Sequence, residues 1–290
     1  MTLWCQSRRR HRCLGRAIYE GMTPKPAMSI PTAMALFASR ECRGIARSLA
    51  NTKDRHAGIH AARKGLRRLK SLLRLGSEVF GDALVEIEAR IGKLATGLSP
   101  LRDAHVAVTL ATHLGGPRPS AGWAEAILVL EHRRDGRLVE ALHKDPRFLK
   151  RRHAMRDLCD LIERLPWRLV KRGVVEAALD AGQRRVASAQ KRVRKGATPA
   201  NLHRWRRRAR RMRMQLQYWK RVLSATHKTA HHRAKQDKAA THAMAKLSDA
   251  LGAKQDLRAL RVQLRAIRKP GLTTPLVEQI ADELKKFRKV

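Results

Sequence analysis

HAARKGLRRLK, residues 60–70, is repeated later in the chain as HRWRRRARRMR, residues 203–213. In both segments a His is followed by Arg after three residues, by Lys or Arg after four, by Arg after seven and eight, and by Lys or Arg after ten. On an α-helix, at about 100° per residue, these side chains fall within an arc of roughly 160°. Apolar residues such as Leu66 and Ala209 share a second spacing on the other side. Each segment is therefore predicted to be an amphipathic helix with a core face and a cationic face.

We call the six repeated positions of each segment a basic stripe. Cations one helical turn apart repel each other by a few tenths of a kcal/mol per pair, and neither segment contains an acidic residue. A single run of this kind is typical of a solvated face, but the same repulsion at the same spacing in two places favours an external polyanion. His60 could instead make a structural hydrogen bond at the start of its helix. The predicted ligands are His60, Arg63, Lys64, Arg67, Arg68 and Lys70 in the first stripe, and His203, Arg206, Arg207, Arg210, Arg211 and Arg213 in the second.

The overall charge supports a negatively charged partner. The chain of 290 residues has 64 Lys and Arg against 24 Asp and Glu, a formal net charge of +40. Such an excess attracts polyanions and repels itself in the folded state, so polyphosphate, nucleic acid and anionic membrane surfaces are the candidate partners. Aromatic residues make up only 4% of the chain, which argues against single-stranded nucleic acid recognised by base stacking.

The two stripes resemble the signature of the conserved histidine α-helical domain (CHAD) family, in which a His-x-x-Arg helix with further spaced Arg and Lys occurs once in each of two related halves. The resemblance spans about residues 31–288. It implies an all-α fold of two four-helix bundles related by a pseudo-twofold axis, with halves at about 31–165 and 167–288. It also implies a basic surface or cavity that binds inorganic polyphosphate.

Periodicity and turn residues predict the individual elements. Residues 1–30 are predicted to be a basic, poorly ordered tail, and 224–240 a polar segment in which His227 and His231 are too few for a metal site. Residues 246–260 are predicted to form a helix end, a loop and a new helix around Asp256, as GLSPLRDAHV does at 97–106. Helices are predicted at about 31–51, 57–79, 82–97, 101–114, 123–143, 146–164, 167–194, 199–223 and 275–288.

Arg102 and Asp103 match an Arg-Asp pair that, in the family, opens the fourth helix of a half. We predict that Asp103 stabilises the start of that helix through its dipole. Arg102 is a weaker candidate ligand, because Gln255 stands at the corresponding position of the second half.

The sequence predicts binding without catalysis. Glu86, Glu88 and Arg90 resemble the E-x-E-x-R motif of triphosphate-tunnel enzymes, but that motif needs a β-strand and the surrounding periodicity here is helical. Polyphosphate hydrolysis needs carboxylates that hold Mg²⁺, and no acidic cluster accompanies the stripes, so neither a metal site nor a cofactor is predicted. Two other functions stay open: sequence-independent nucleic-acid binding by the same basic surface, and an accessory role in polyphosphate processing.

The sequence also bears on location. Its four cysteines, Cys5, Cys13, Cys42 and Cys159, are scattered and are predicted to be reduced thiols. The chain has no apolar run of about 18 residues and no apolar stretch of a secretory signal at its start. We therefore expect a cytoplasmic protein without a membrane span, and the resemblance extends this to an association with polyphosphate granules.

Overall fold

The computed structural model describes residues 28–226 and 233–286, and these fold entirely into α-helices, short 3-10 turns and connecting loops. No β-strand occurs in either range, which confirms the predicted all-α class. Most of the predicted tail, 1–27, and both His227 and His231 lie outside the described residues. The helices are α1 (Ile30–Ala50), α2 (Arg55–Leu73), α3 (Ser77–Gly97), α4 (Ser99–Gly115), α5 (Ala121–Lys144), α6 (Leu149–Glu163), α7 (Arg172–Lys195), α8 (Pro199–Ala225), α9 (Arg233–Arg265) and α10 (Pro270–Lys285).

Both helices that carry the stripes begin at an N-cap in the sequence. The Asp54 carboxylate accepts a hydrogen bond from the Ala57 amide at 2.9 Å, and the Thr198 hydroxyl accepts one from the Asn201 amide at 3.2 Å. Such caps satisfy amides that have no partner within the helix. They fix the first turns of α2 and α8, and so the position at which each stripe begins.

The helix α2 ends at Leu73, about six residues earlier than predicted, and is followed by a 3-10 turn, Arg74–Gly76. Gly76 allows a close contact at this turn, because a Cβ atom there would lie 2.5 Å from the ring of Phe80, which is buried. The backbone also departs from helical geometry within α3 at Gly81, which has a positive φ of 50°.

The loop predicted within residues 246–260 is wrong, because α9 is helical throughout that range. In the first half, Pro100 in the first turn of α4 separates α3 from α4, and its ring would clash inside a continuous helix. The second half has no proline at this point, and Gly252 stays in the helix. The last helix also starts earlier than predicted, at Pro270, where a proline in the first turn is favourable.

Two clusters of buried apolar residues form the core of the described part. The larger draws on α1, α2, α3, α6, α7 and α8, and the smaller on α4, α5, α9 and α10. Each cluster thus combines helices from both predicted halves of the sequence. The boundary between the halves and the pseudo-twofold axis remain predictions.

A shared carboxylate ties together the helices that carry the stripes. Glu41 of α1 accepts hydrogen bonds from Arg68 of α2, the shortest at 2.8 Å, and from the Tyr218 hydroxyl of α8 at 2.6 Å. The hydrogen bond to Glu41 raises the pKa of Arg68, and burial followed by the hydrogen bond raises the pKa of Tyr218. We call these three residues the Glu41 clamp. It holds α2 and α8 side by side, where buried Ser71 also contacts the Met214 sulfur at 3.6 Å.

Across both described ranges, we find no helix long and apolar enough to cross a membrane.

Candidate functional site

The helices α2, α4, α8 and α9 surround a groove of about 980 Å³, here called the central groove. Both basic stripes contribute to it, from two neighbouring helices. The stripe residues that line it are His60, Lys64 and Arg67 of α2, with Arg206, Arg210 and Arg213 of α8. The equivalent positions of the two repeats therefore converge on one space.

The other two walls, on α4 and α9, were not predicted from the sequence. His105 and Thr109 line the groove from α4, and Asp249 and Asp256 line it from α9. His105 follows the Arg102-Asp103 pair by one helical turn, so the RDAHV motif contained a signal for it. No sequence signal indicated Asp249 and Asp256, because both belong to one continuous helix, α9, in a region where a loop was predicted. No group of three His, Cys, Asp or Glu side chains that could hold a metal ion occurs in the described ranges.

The arginines at the bottom of the groove are poorly solvated cations. Burial, together with neighbouring Arg206 and Arg67, lowers the pKa of Arg210 to about 9. Burial and the charge of Arg102 lower the pKa of Arg67 to about 10. Both groups stay charged at pH 7, so the lowered pKa values show that the folded protein destabilises these charges. An anion in the groove would reverse that effect.

Several guanidinium groups around the groove have a buried N–H without a hydrogen-bond partner. This applies to Nε of Arg67, Arg206 and Arg213, although Arg213 also reaches Asp249 through Nη1 at 3.1 Å. Buried donors are normally satisfied, and leaving them unpaired costs free energy. These guanidinium groups are therefore incompletely paired within the protein, and a nearby anion would stabilise their charge.

Arg102 lies beside the groove rather than on its lining. Its Nη1 atom lies 3.0 Å from Asp103 Oδ1 and 3.6 Å from Asp256 Oδ1, so it bridges α4 and α9. Asp103 is the fifth residue of α4, beyond the first turn, and that turn contains no acidic residue. The carboxylate therefore orients Arg102 instead of stabilising the helix start as predicted. Arg63 of α2 donates a hydrogen bond to Ser99, the first residue of α4.

The remaining predicted ligands lie outside the central groove. Arg68 belongs to the Glu41 clamp, and Lys70 forms an ion pair with Glu88 of α3 at 3.3 Å. Arg211 lies near Arg74 and Glu88, where burial lowers its pKa to about 10. Arg207 is exposed. His203 lines a smaller adjoining cavity of about 170 Å³ and contacts Gln255 at 3.3 Å.

Two histidines of the groove are held in their neutral form. Burial and the charges of Arg102 and Arg67 lower the pKa of His60 below its usual 6.5. Burial, followed by His56 and Arg134, lowers the pKa of His105. His105 stacks on His56 with ring centroids 5.4 Å apart. At neutral pH these rings can therefore act as neutral hydrogen-bond donors or acceptors.

We expect the free energy of unfolding of the ligand-free protein to fall as the pH is lowered through 6.5, the usual histidine pKa. In this range the unfolded chain binds protons that His60 and His105 of the folded state do not yet bind, so stability is lost on acidification. Urea unfolding at pH 7.5 and 5.5 measures the loss. Exchanging both residues for Gln should reduce the difference, whereas His132→Gln, at an exposed position of α5, should leave it unchanged. Equal pH dependence in all three proteins would contradict the assignment.

Comparison with known proteins supports the fold described above. The model of the CHAD domain family matches residues 43–265 of this chain. The crystal structure of the CHAD domain from the plant Ricinus communis is similar, with 20% sequence identity, a TM-score of 0.56, and coverage of 92% of this chain and 91% of that chain. At this identity the likeness supports the fold alone. No curated protein matches the sequence.

Proposed function

The chain belongs to the CHAD domain family, and from this premise we propose that its central groove binds inorganic polyphosphate without hydrolysing it. The observation that carries the proposal is that the two basic stripes meet in one groove, with Arg67, Arg206 and Arg210 on its lining. The lowered pKa values of all three arginines favour an anion at this position. Under this proposal the protein acts in the cytoplasm, where it attaches to polyphosphate granules.

The shape of the site favours a linear polymer over a single small anion. From residue 60 to 67, and again from 206 to 213, each row of groove-lining stripe residues extends about 10 Å along its helix. Two neighbouring rows of this length match a chain with a negative charge on every unit, and the arginine fork suits bidentate contacts to phosphate oxygens. A flexible single strand can enter the groove among the four helices, whereas a stiff duplex cannot.

The carboxylates of α9 are compatible with this role. Asp249 is well exposed, and exposed ion pairs such as its contact with Arg213 contribute only about 0–1 kcal/mol. A phosphate can therefore replace Asp249 as the partner of Arg213 at little cost.

We expect long-chain polyphosphate to bind and to remain intact. Incubation with Mg²⁺ or Mn²⁺ should release no orthophosphate above the level without protein, while titration of labelled polyphosphate gives saturable binding that weakens steeply with salt. Gel analysis of chain length after incubation checks independently that the polymer is intact. Phosphate release that disappears in Asp256→Asn or Asp249→Asn would replace the binding role with an enzymatic one.

A further inference from the structure

The helix α8 carries cations on two separate sides. Arg206, Arg210 and Arg213 face the central groove. At about 100° per residue, Arg204, Arg207 and Arg208 centre roughly 150° away from them. These residues therefore belong to a different surface, which the groove does not use.

The C-terminal half of α7 extends this surface. The two helices are joined by a short loop and pack side by side, and Arg208 Nη1 donates a hydrogen bond across to the Arg185 carbonyl oxygen at 2.8 Å. We define the outer basic face by Arg185 and Arg192 of α7 and Arg204, Arg207 and Arg208 of α8. All are exposed except Arg208, which is half-buried.

The segments of α7 and α8 that carry this face contain no carboxylate. Residues 181–225 contain 15 Lys and Arg but no Asp or Glu. The pKa of Arg208 is lowered by burial and then by Arg192, Arg204, Arg185 and Arg207, which shows that these charges are close enough to repel each other. In the first stripe, by contrast, Arg68 and Lys70 have the carboxylates of Glu41 and Glu88 as partners. The closely spaced arginines on α7 and α8 are therefore available to an external anionic partner.

We propose that the outer basic face binds the phosphate backbone of a nucleic-acid duplex, at a site separate from the central groove. The face is open rather than enclosed, so a stiff rod can lie against it. The 15 residues of α7 from 181 to 195 extend about 22 Å, and a duplex carries one charge per about 1.7 Å of its axis. Because its polar groups are almost all Arg and Lys, binding is independent of base sequence.

An anionic membrane would attract the same charges, but the face lacks the means to insert. Membrane-surface helices place large apolar side chains beside their cations. Among the described residues, the exposed large apolar side chains are Val85, Leu128, Val139, Leu149, Leu169 and Val262, and none of these lies on α7 or α8. The charge pattern therefore favours a nucleic-acid backbone.

Three double variants with the same change in charge test the proposal. The outer variant is Arg192→Glu with Arg204→Glu, the groove variant is Arg67→Glu with Arg210→Glu, and the control is Arg164→Glu with Arg168→Glu, two exposed residues away from both surfaces. The probe is a 20-base-pair DNA duplex of arbitrary sequence at 150 mM salt. We expect the outer variant to bind it at least tenfold more weakly, and the other two to stay within about threefold of the wild type. The outer variant should still bind polyphosphate.

Three other results would overturn the proposal, each in a distinct way. Equal losses in all three variants would mean that net charge alone attracts the duplex. A loss confined to the groove variant would place the duplex in the central groove. Unchanged duplex affinity in the outer variant, together with loss of binding to vesicles of phosphatidylserine, would assign the face to a membrane surface. Failure of polyphosphate to bind the wild type would refute the proposed function but leave this assignment standing.

Discussion

Replacing Arg67 and Arg210 with glutamate is expected to lower the affinity for long-chain polyphosphate by about a hundredfold or more. The two arginines line the central groove, one from each stripe, so both contacts are lost together. A hydrogen bond to a charged group contributes about 1.5–3 kcal/mol, and each glutamate adds repulsion of the ligand. Fluorescence anisotropy of labelled polyphosphate at constant salt measures the change.

The fold should tolerate this double change. On α2, Arg63 and Arg67 lie one turn apart, and glutamate at 67 turns their repulsion into attraction, as it does for Arg206 with position 210. Circular dichroism should show unchanged helix content. The matched control, Arg164→Glu with Arg168→Glu, removes the same charge from an exposed surface and should weaken binding much less. If both double variants lose affinity equally, the repeated stripes have no special role.

Arg210→Met is expected to stabilise the ligand-free protein while it weakens ligand binding. The guanidinium of Arg210 is poorly solvated and lies among Arg206 and Arg67, which lowers its pKa to about 9. Methionine keeps a flexible apolar stem without the charge. We expect Tm without ligand to rise by roughly 2–4 °C, the change that about 1 kcal/mol produces in a protein of this size.

The rise in Tm that polyphosphate produces should be smaller for Arg210→Met than for the wild type. At a hundred times Kd, a ligand that binds only the folded state adds about 2.7 kcal/mol, which corresponds to roughly 5–10 °C in Tm for the wild type. At that polyphosphate concentration Arg210→Met should respond much less, and Arg137→Met, at an exposed position of α5, should respond like the wild type. A lower Tm of ligand-free Arg210→Met would instead show that Arg210 stabilises the fold.

The fold class and the cationic faces of α2 and α8 could be predicted because both follow from spacing along one helix. Helical periodicity assigns a residue such as Arg67 or Arg210 to a face, and the repeat indicated that the equivalent face is cationic in both segments. Periodicity does not show what a side chain meets on another helix. Glu41 and Glu88 are distant in sequence from Arg68 and Lys70, so these two cations were predicted as ligands although carboxylates already accompany them.

The acidic side of the groove was missed for a related reason. The loop predicted near Asp256 assumed that the second half would break where the first does. The break of the first half comes from Pro100, a residue whose ring excludes a continuous helix. Without that proline, α9 stays straight enough to bring both Asp249 and Asp256 to the groove. A single residue type therefore makes the two halves differ at their shared site.

The Glu41 clamp bears on how quickly a ligand is captured. Because Glu41 holds Arg68 and Tyr218 on adjacent helices, the spacing between α2 and α8 is set during folding rather than at the moment of contact. The free-energy cost of holding two rows of cations close together is therefore met during folding, before a polyanion binds. Capture of this kind requires no slow rearrangement of the helices, so long-range attraction controls its rate and ionic strength slows it. Loss of the clamp would make encounter depend on helix motion instead.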